Sequence, residues 1–141
     1  MSKIRNNWKL EEVLQLFEKP FNEILSQAHD IHIDNHKKDM VQVCTLLSVK
    51  TGGCPEDCGY CSQSIHSDEP IEATPLMSLE EVREKATVAR DQGSTRFCMG
   101  AAWRRPSNKN IDRVIKMIDV VHELGMESCV TLGMLSEDQA I

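Results

Sequence analysis

The sequence predicts an α/β fold built on a parallel sheet. Three observations carry this reading. Short β-branched or apolar runs alternate with segments of helical period, in the order strand, helix, strand, helix, strand, helix start. Gly93 and Gly125 each stop a helix a few residues ahead of such a run. Residue types suited to chemistry follow the ends of the runs, where ligands gather in parallel α/β folds.

Taken in order, "LEEVLQLFEKPFNEILSQAHDIHIDNH" predicts two helices broken near Pro20, whose ring cannot continue a helix. This N-terminal helical segment, 1–39, is expected to be separate from the α/β part, 40–141. "MVQVCTLLSVK" (40–50) predicts a buried strand. A cysteine-bearing loop follows it. "SLEEVREKATVARDQG" predicts a helix with Ser78 as N-cap, Glu81 closing a capping box and Gly93 as its stop. "STRFCMG" (94–100) predicts a second strand. After the loop "AAWRRPSNKN", a helix runs to Gly125. "MESCVTLG" (126–133) predicts a third strand, and "SEDQA" starts another helix.

Composition narrows the function. The net charge of -6 argues against a partner that presents a phosphate backbone. No apolar run is long enough to span a membrane, and the start "MSKIRNNWKLEEV" lacks the apolar core of a secretory signal. A cytoplasmic setting is expected. Thiols stay reduced there, so the six cysteines are expected to be metal ligands, catalytic groups or core filler.

The stretch "TGGCPEDCGYCSQS" places Cys54, Cys58 and Cys61 within eight residues. Such spacing lets one loop wrap several thiolates around a metal. An iron–sulfur cluster, a zinc site completed by His66, a disulfide beside a free thiol, and plain burial all remain open on spacing alone. Three thiolates on a four-iron cube would leave one iron free to take a small ligand.

With an aromatic, Tyr60, before the last cysteine, this motif resembles the signature of the radical S-adenosylmethionine enzymes. The resemblance implies a 4Fe–4S cluster on Cys54, Cys58 and Cys61. It implies S-adenosylmethionine on the open iron, cleaved to a radical that abstracts a substrate hydrogen. It puts Tyr60 near the adenine, where the ring would also shield the cluster from water.

Cys98 and Cys129 lie inside the second and third strands. Alternation puts Arg96, Cys98 and Gly100 on one face and Thr95, Phe97 and Met99 on the other. Likewise Glu127, Cys129 and Thr131 oppose Ser128, Val130 and Leu132. Cys98 comes five residues after Gly93 and Cys129 four after Gly125, so the two are expected at similar depth. A charged Arg96 on an inward face needs a partner, and a second metal centre would supply one.

"STRFCMGAAWRRP" and "ESCVTLGMLS", taken with the three-cysteine loop, closely resemble the biotin synthase family over about residues 5–141. The resemblance implies the N-terminal part of a TIM-type (β/α)8 barrel, about three β/α units preceded by N-terminal helices. It implies a 2Fe–2S cluster with Cys98 and Cys129 among its ligands, and it places Ala101 beside S-adenosylmethionine. Trp103 would line the same pocket or act as a packing lid. The implied reaction inserts sulfur into dethiobiotin. Flavodoxin or ferredoxin is the implied reductant, and the intact enzyme is implied to be a homodimer.

Cys44 reads as a small residue in mid-strand, on the face of Gln42, Ser48 and Lys50. His29, His32 and His36 fall on a polar helix and read as solvated, and neither His66 nor His122 shows metal spacing. Met99, Met117, Met126 and Met134 read as packing. A complete barrel needs about 250 residues. The chain is therefore expected to be truncated, to lack the remaining 2Fe–2S ligands and most of the substrate site, and to be marginally stable and inactive alone. The rival readings are another radical enzyme, a zinc-binding module and a decayed fragment.

Overall fold

The structure, a computed structural model, describes residues 5–140. The outermost residues of both expected domains, 1–4 and 141, lie outside the described residues. The chain divides into two compact units, at Val41 and Gln42.

The first unit holds α1 (Leu10–Glu18) and α2 (Phe21–Asn35). Pro20 is the N-cap of α2, so the break falls where the ring forbids continuation. Of the three histidines of this region, His29 and His36 are exposed and His32 is half-buried. The rings of His32 and His36 stack at 5.4 Å.

The second unit holds β1 (Cys44–Lys50), α3 (Leu79–Asp91), β2 (Arg96–Ala101), α4 (Asn108–Glu123), β3 (Glu127–Thr131) and α5 (Glu137–Ala140). The strands form one parallel sheet in the order β1-β2-β3. The expected α/β alternation is therefore present, as a three-stranded parallel sheet compatible with part of a β/α barrel. Helix α3 starts where its capping box requires: Ser78 Oγ accepts from the Glu81 amide at 3.2 Å, and Glu81 Oε2 accepts from the Ser78 amide at 2.7 Å. Ser107 caps α4 in the same sense, accepting from Asn110 N, although the sequence reading passed over it inside a loop.

One face of the sheet is covered. Val49, Phe97 and Met99 are buried there with Val82, Ala86, Val114, Met117 and Val121 from α3 and α4. The burial of apolar surface is the main term holding this unit together. Met126 joins this core, whereas Met134 is exposed and so does not share the expected packing role.

The other face is open. Across it the register sets Cys44 level with Arg96 and Glu127, Leu46 with Cys98 and Cys129, and Ser48 with Gly100 and Thr131. Cys98 and Cys129 thus lie at one depth, as their distances from the helix-ending glycines require. Strand β1 begins at Cys44 and not at Met40. Sheet bonding starts only where Thr95 N and Arg96 N donate to Val43 O, and Met40 N is used in a turn back to Lys37 O. Cys44 consequently opens the strand; the expectation of a mid-strand position was wrong.

Candidate functional site

The cysteine loop leaves the C-terminal end of β1 and is closed by polar contacts of its own. Cys54 N donates to Gln63 O and Ile65 N to Cys54 O, each at 2.9 Å, which makes a short parallel bridge across the loop. Cys61 N donates to Cys58 O at 2.9 Å in a tight turn between two of the thiols. Ser64, only 2 % exposed, is the buried polar pin. Its Oγ donates to Glu56 O at 2.6 Å and accepts from His66 N at 3.0 Å. Removing that hydroxyl leaves both main-chain groups without their bond. Ser64→Ala is therefore expected to cost about 1–3 kcal/mol, read as a lower urea midpoint, and to raise the reactivity of Cys58 and Cys61 toward a thiol reagent.

Lys50, at the end of β1, ties this loop to the one after β2. Its Nζ donates to Gly52 O and, at 2.6 Å, to Ala102 O. Ala102 N donates in turn to Lys50 O at 2.8 Å. Arg104 pairs with Glu56 at 3.2 Å. The loop after β3 joins the same assembly, since Met134 N donates to Arg104 O at 2.8 Å.

A cavity of about 320 Å³ opens between these loops and the bare sheet face. It is lined by Cys54, Cys61, Gln63, Ala101, Trp103 and the sheet-face residue Leu46, among others. The structure thus brings Ala101 and Trp103 together with two of the three loop cysteines. Cys58 and Tyr60 are placed elsewhere. They line a neighbouring cleft with Cys61 and His66, and the Tyr60 side chain is 96 % exposed. Buried Trp103 Nε1 has no hydrogen-bond partner among the described residues.

The open face carries a second group of thiols. Cys44 Sγ lies 3.2 Å from Cys98 Sγ, and all six cysteines are free thiols. The hydrogen bond to Cys44, then loss of water and the bond to Cys129, push the Cys98 thiol up to about 12. Arg96 has a protein partner: its Nη2 and Nε reach Glu127 Oε2 at 2.6 and 3.0 Å, and Gln42 Nε2 donates to the same oxygen at 3.0 Å. Arg96 and then Gln42 hold the Glu127 carboxyl below its ordinary value. The charge on this face thus has a partner within the sheet.

Among the described residues, no group of three or more His, Cys, Asp or Glu side chains is gathered to hold a metal ion. His122 Nε2 lies 3.0 Å from Ser128 Oγ. Sequence reasoning missed Ser64, Gln63 and Lys50 as the residues that shape the site, and Cys44 as a member of the thiol group.

No family model matches the chain. Individual proteins do. The chain is 51% identical over 140 residues to the biotin synthase of Erythrobacter litoralis, which covers 99% of this chain and 41% of that one. It is 53% identical to the biotin synthase of Thioalkalivibrio sulfidiphilus, again over 99% and 41%. It is 54% identical to that of Vesicomyosocius okutanii, over 99% and 44%. By sequence the chain is similar to biotin synthases, and it spans about two fifths of the length of the curated relatives it matches.

Proposed function

We propose that this chain is the cluster-bearing part of a biotin synthase, with an N-terminal helical segment, 1–39, followed in sequence by about three β/α units of a TIM-type (β/α)8 barrel. The observation that carries the reading is the cavity between the cysteine loop and the open sheet face, since it sets Cys54 and Cys61 against Ala101 and Trp103. Thiols are the donors that iron–sulfur clusters take, so the residue types suit the clusters, while among the described residues no three of them are gathered around one metal position. Cys54, Cys58 and Cys61 would hold the 4Fe–4S cluster, and Cys98 and Cys129 would belong to the 2Fe–2S site. When bound, the clusters and S-adenosylmethionine would supply the electron, the hydrogen abstraction and the sulfur needed to convert dethiobiotin to biotin.

The chain's own residues act by placement. Gln63 and Ser64 fold the loop so that its thiols face two sides. Lys50 fixes the loop against the segment that carries Ala101. Trp103 lines the cavity beside Ala101. Tyr60 would come beside the adenine from the rim of the neighbouring cleft. The Glu127 carboxylate holds Arg96 at the level of Cys44, one step along the sheet from Cys98.

Flavodoxin or ferredoxin would be the reductant, the intact enzyme would be a homodimer, and its setting would be the cytoplasm. Among the described residues no helix is long and apolar enough to cross a membrane.

The test is anaerobic reconstitution of the full chain with iron and sulfide. Iron is then counted, and EPR is recorded on the reduced protein with and without S-adenosylmethionine. About four irons at the loop, a spectrum changed by the cofactor, and loss of both in the variant Cys54→Ala/Cys58→Ala/Cys61→Ala are expected. A variant that keeps about four irons and a spectrum changed by the cofactor would sink the proposal, as would tightly held zinc indifferent to the cofactor.

A further inference from the structure

Folding brings together two thiols that lie 54 residues apart in sequence. Cys44 Sγ stands 3.2 Å from Cys98 Sγ, across the gap between β1 and β2. The other contact of the Cys44 thiol, to Thr45 O, is long at 3.9 Å and does little to hold it. Cys44 is exposed and Cys98 half-buried, so solvent reaches the pair from the Cys44 side.

The two sulfurs need to close by only about 1 Å to reach the length of a disulfide bond. Cys44 lies diagonally from Cys98, whose level partners are Leu46 and Cys129. A bridge must therefore draw the start of β1 along the sheet. That movement is cheap at this end. Cys44 is the first residue of β1, and the stretch ahead of it, 37–43, is exposed. Cys129 is the middle residue of β3 and is held in the ladder on both sides, so it has less freedom to approach Cys98.

We propose that Cys44 and Cys98 form a reversible oxidation site, closed to a disulfide by a hydroperoxide and reopened by a dithiol. The Cys44 sulfur takes the terminal peroxide oxygen as the O–O bond breaks. The thiol proton leaves with the other oxygen as water or an alcohol, and Cys44 becomes a sulfenic acid. The Cys98 sulfur then attacks the Cys44 sulfur. The S–S bond forms, the S–O bond breaks, and the hydroxyl leaves with the Cys98 proton as water. Two electrons pass from the two thiols to the peroxide. A dithiol reverses the change, becoming a disulfide itself and returning both protons. Resting on the function proposed above, closure has one further consequence: Cys98 cannot serve the 2Fe–2S site while it is bonded to Cys44. The bridge itself needs only the two thiols.

Trypsin makes the pairing readable. Its cuts place Cys44 on peptide 39–50, Cys98 on 97–104, Cys129 on 117–141 and all three loop cysteines on 51–83. The reduced 141-residue chain is treated with hydrogen peroxide, remaining thiols are capped with iodoacetamide, and peptides are mapped by mass without reduction. Peptide 97–104 is expected mostly joined to 39–50, and free again after dithiothreitol. In concentrated urea that link should become the rarest one made by Cys98. Cys44 is the most distant of the other five cysteines in sequence, and loop closure disfavours the longest loop. Cys129→Ser should leave the link in place.

Peptide 97–104 recovered capped, or joined chiefly to 117–141 or 51–83, would overturn the proposal. So would a link to 39–50 that is as frequent in urea as in buffer. The decisive map is made on the unsubstituted chain, so it does not depend on a variant folding. No iron or cofactor enters it, so the oxidation site and the cluster reading can each fail while the other stands.

Discussion

Phe97→Ala is expected to leave the α/β unit largely unfolded. Phe97 is fully buried on the covered face of β2, in one cluster with Val49, Met99, Val82, Val114 and Met117. Truncating a buried phenylalanine costs about 3–5 kcal/mol, because the lost transfer term is joined by an unfilled cavity. Whole domains hold only about 5–15 kcal/mol. The change therefore consumes a large share of the total. Residue 98 is its chain neighbour, so the strand that presents the central thiol goes with the core. Urea unfolding followed by the fluorescence of Trp103, in a Trp8→Phe background, measures the loss within this unit. Phe97→Leu should cost less than about 1.5 kcal/mol if volume is what matters. Leu46→Ala should fall within about 0.5 kcal/mol of the parent, since Leu46 is 75 % exposed on the bare face. Equal effects at positions 46 and 97 would show that the covered face is misassigned.

Gly52→Ala should damage the cysteine loop more than any other single methyl added there, while Gly59→Ala should be silent. Gly52 has φ 65, where a Cβ costs about 1–2 kcal/mol. That Cβ would also sit 2.5 Å from Ile71 O and 2.7 Å from Glu72 O. Both are main-chain atoms, so relief requires the segment 71–74 to move. This segment is held by bonds from Thr74 N to Thr51 O at 2.9 Å and from Thr51 N to Thr74 Oγ1 at 3.0 Å. Losing them adds about 1 kcal/mol each. A destabilisation of about 3 kcal/mol is expected by urea titration, with faster labelling of Cys54. A Cβ at Gly59 meets nothing within 4 Å, and its φ is not positive. Gly59→Ala should stay within about 0.5 kcal/mol of the parent.

Much of this architecture was legible in residue order. A glycine that stops a helix also fixes where the next parallel strand starts. Gly93 and Gly125 therefore aligned Cys98 with Cys129 before any coordinates did. The same one-residue offset aligns Arg96 with Glu127. The ion pair is thus readable too. Cys44 was not readable in this way. Strand β1 follows the turn of 37–40 and carries no helix-ending glycine ahead of it. Its register against β2 therefore had no anchor in the sequence. The pins at Gln63 and Ser64 arise only when the loop closes on itself, and short-range patterns of polarity do not encode such closure.

The crossties among the three loops beyond the strand ends bear on how the protein would report a ligand. Thr74 N, Ala102 N and Met134 N are loop amides, yet each is bonded to a carbonyl of another loop or of a strand end. Such amides exchange with solvent only when the whole cluster of loops lets go. A ligand seated anywhere in the cavity would therefore slow deuterium uptake at all three together, including positions that it does not touch. Exchange confined to one loop would instead mean that the loops breathe separately and that the cavity is three surfaces, each answering for itself.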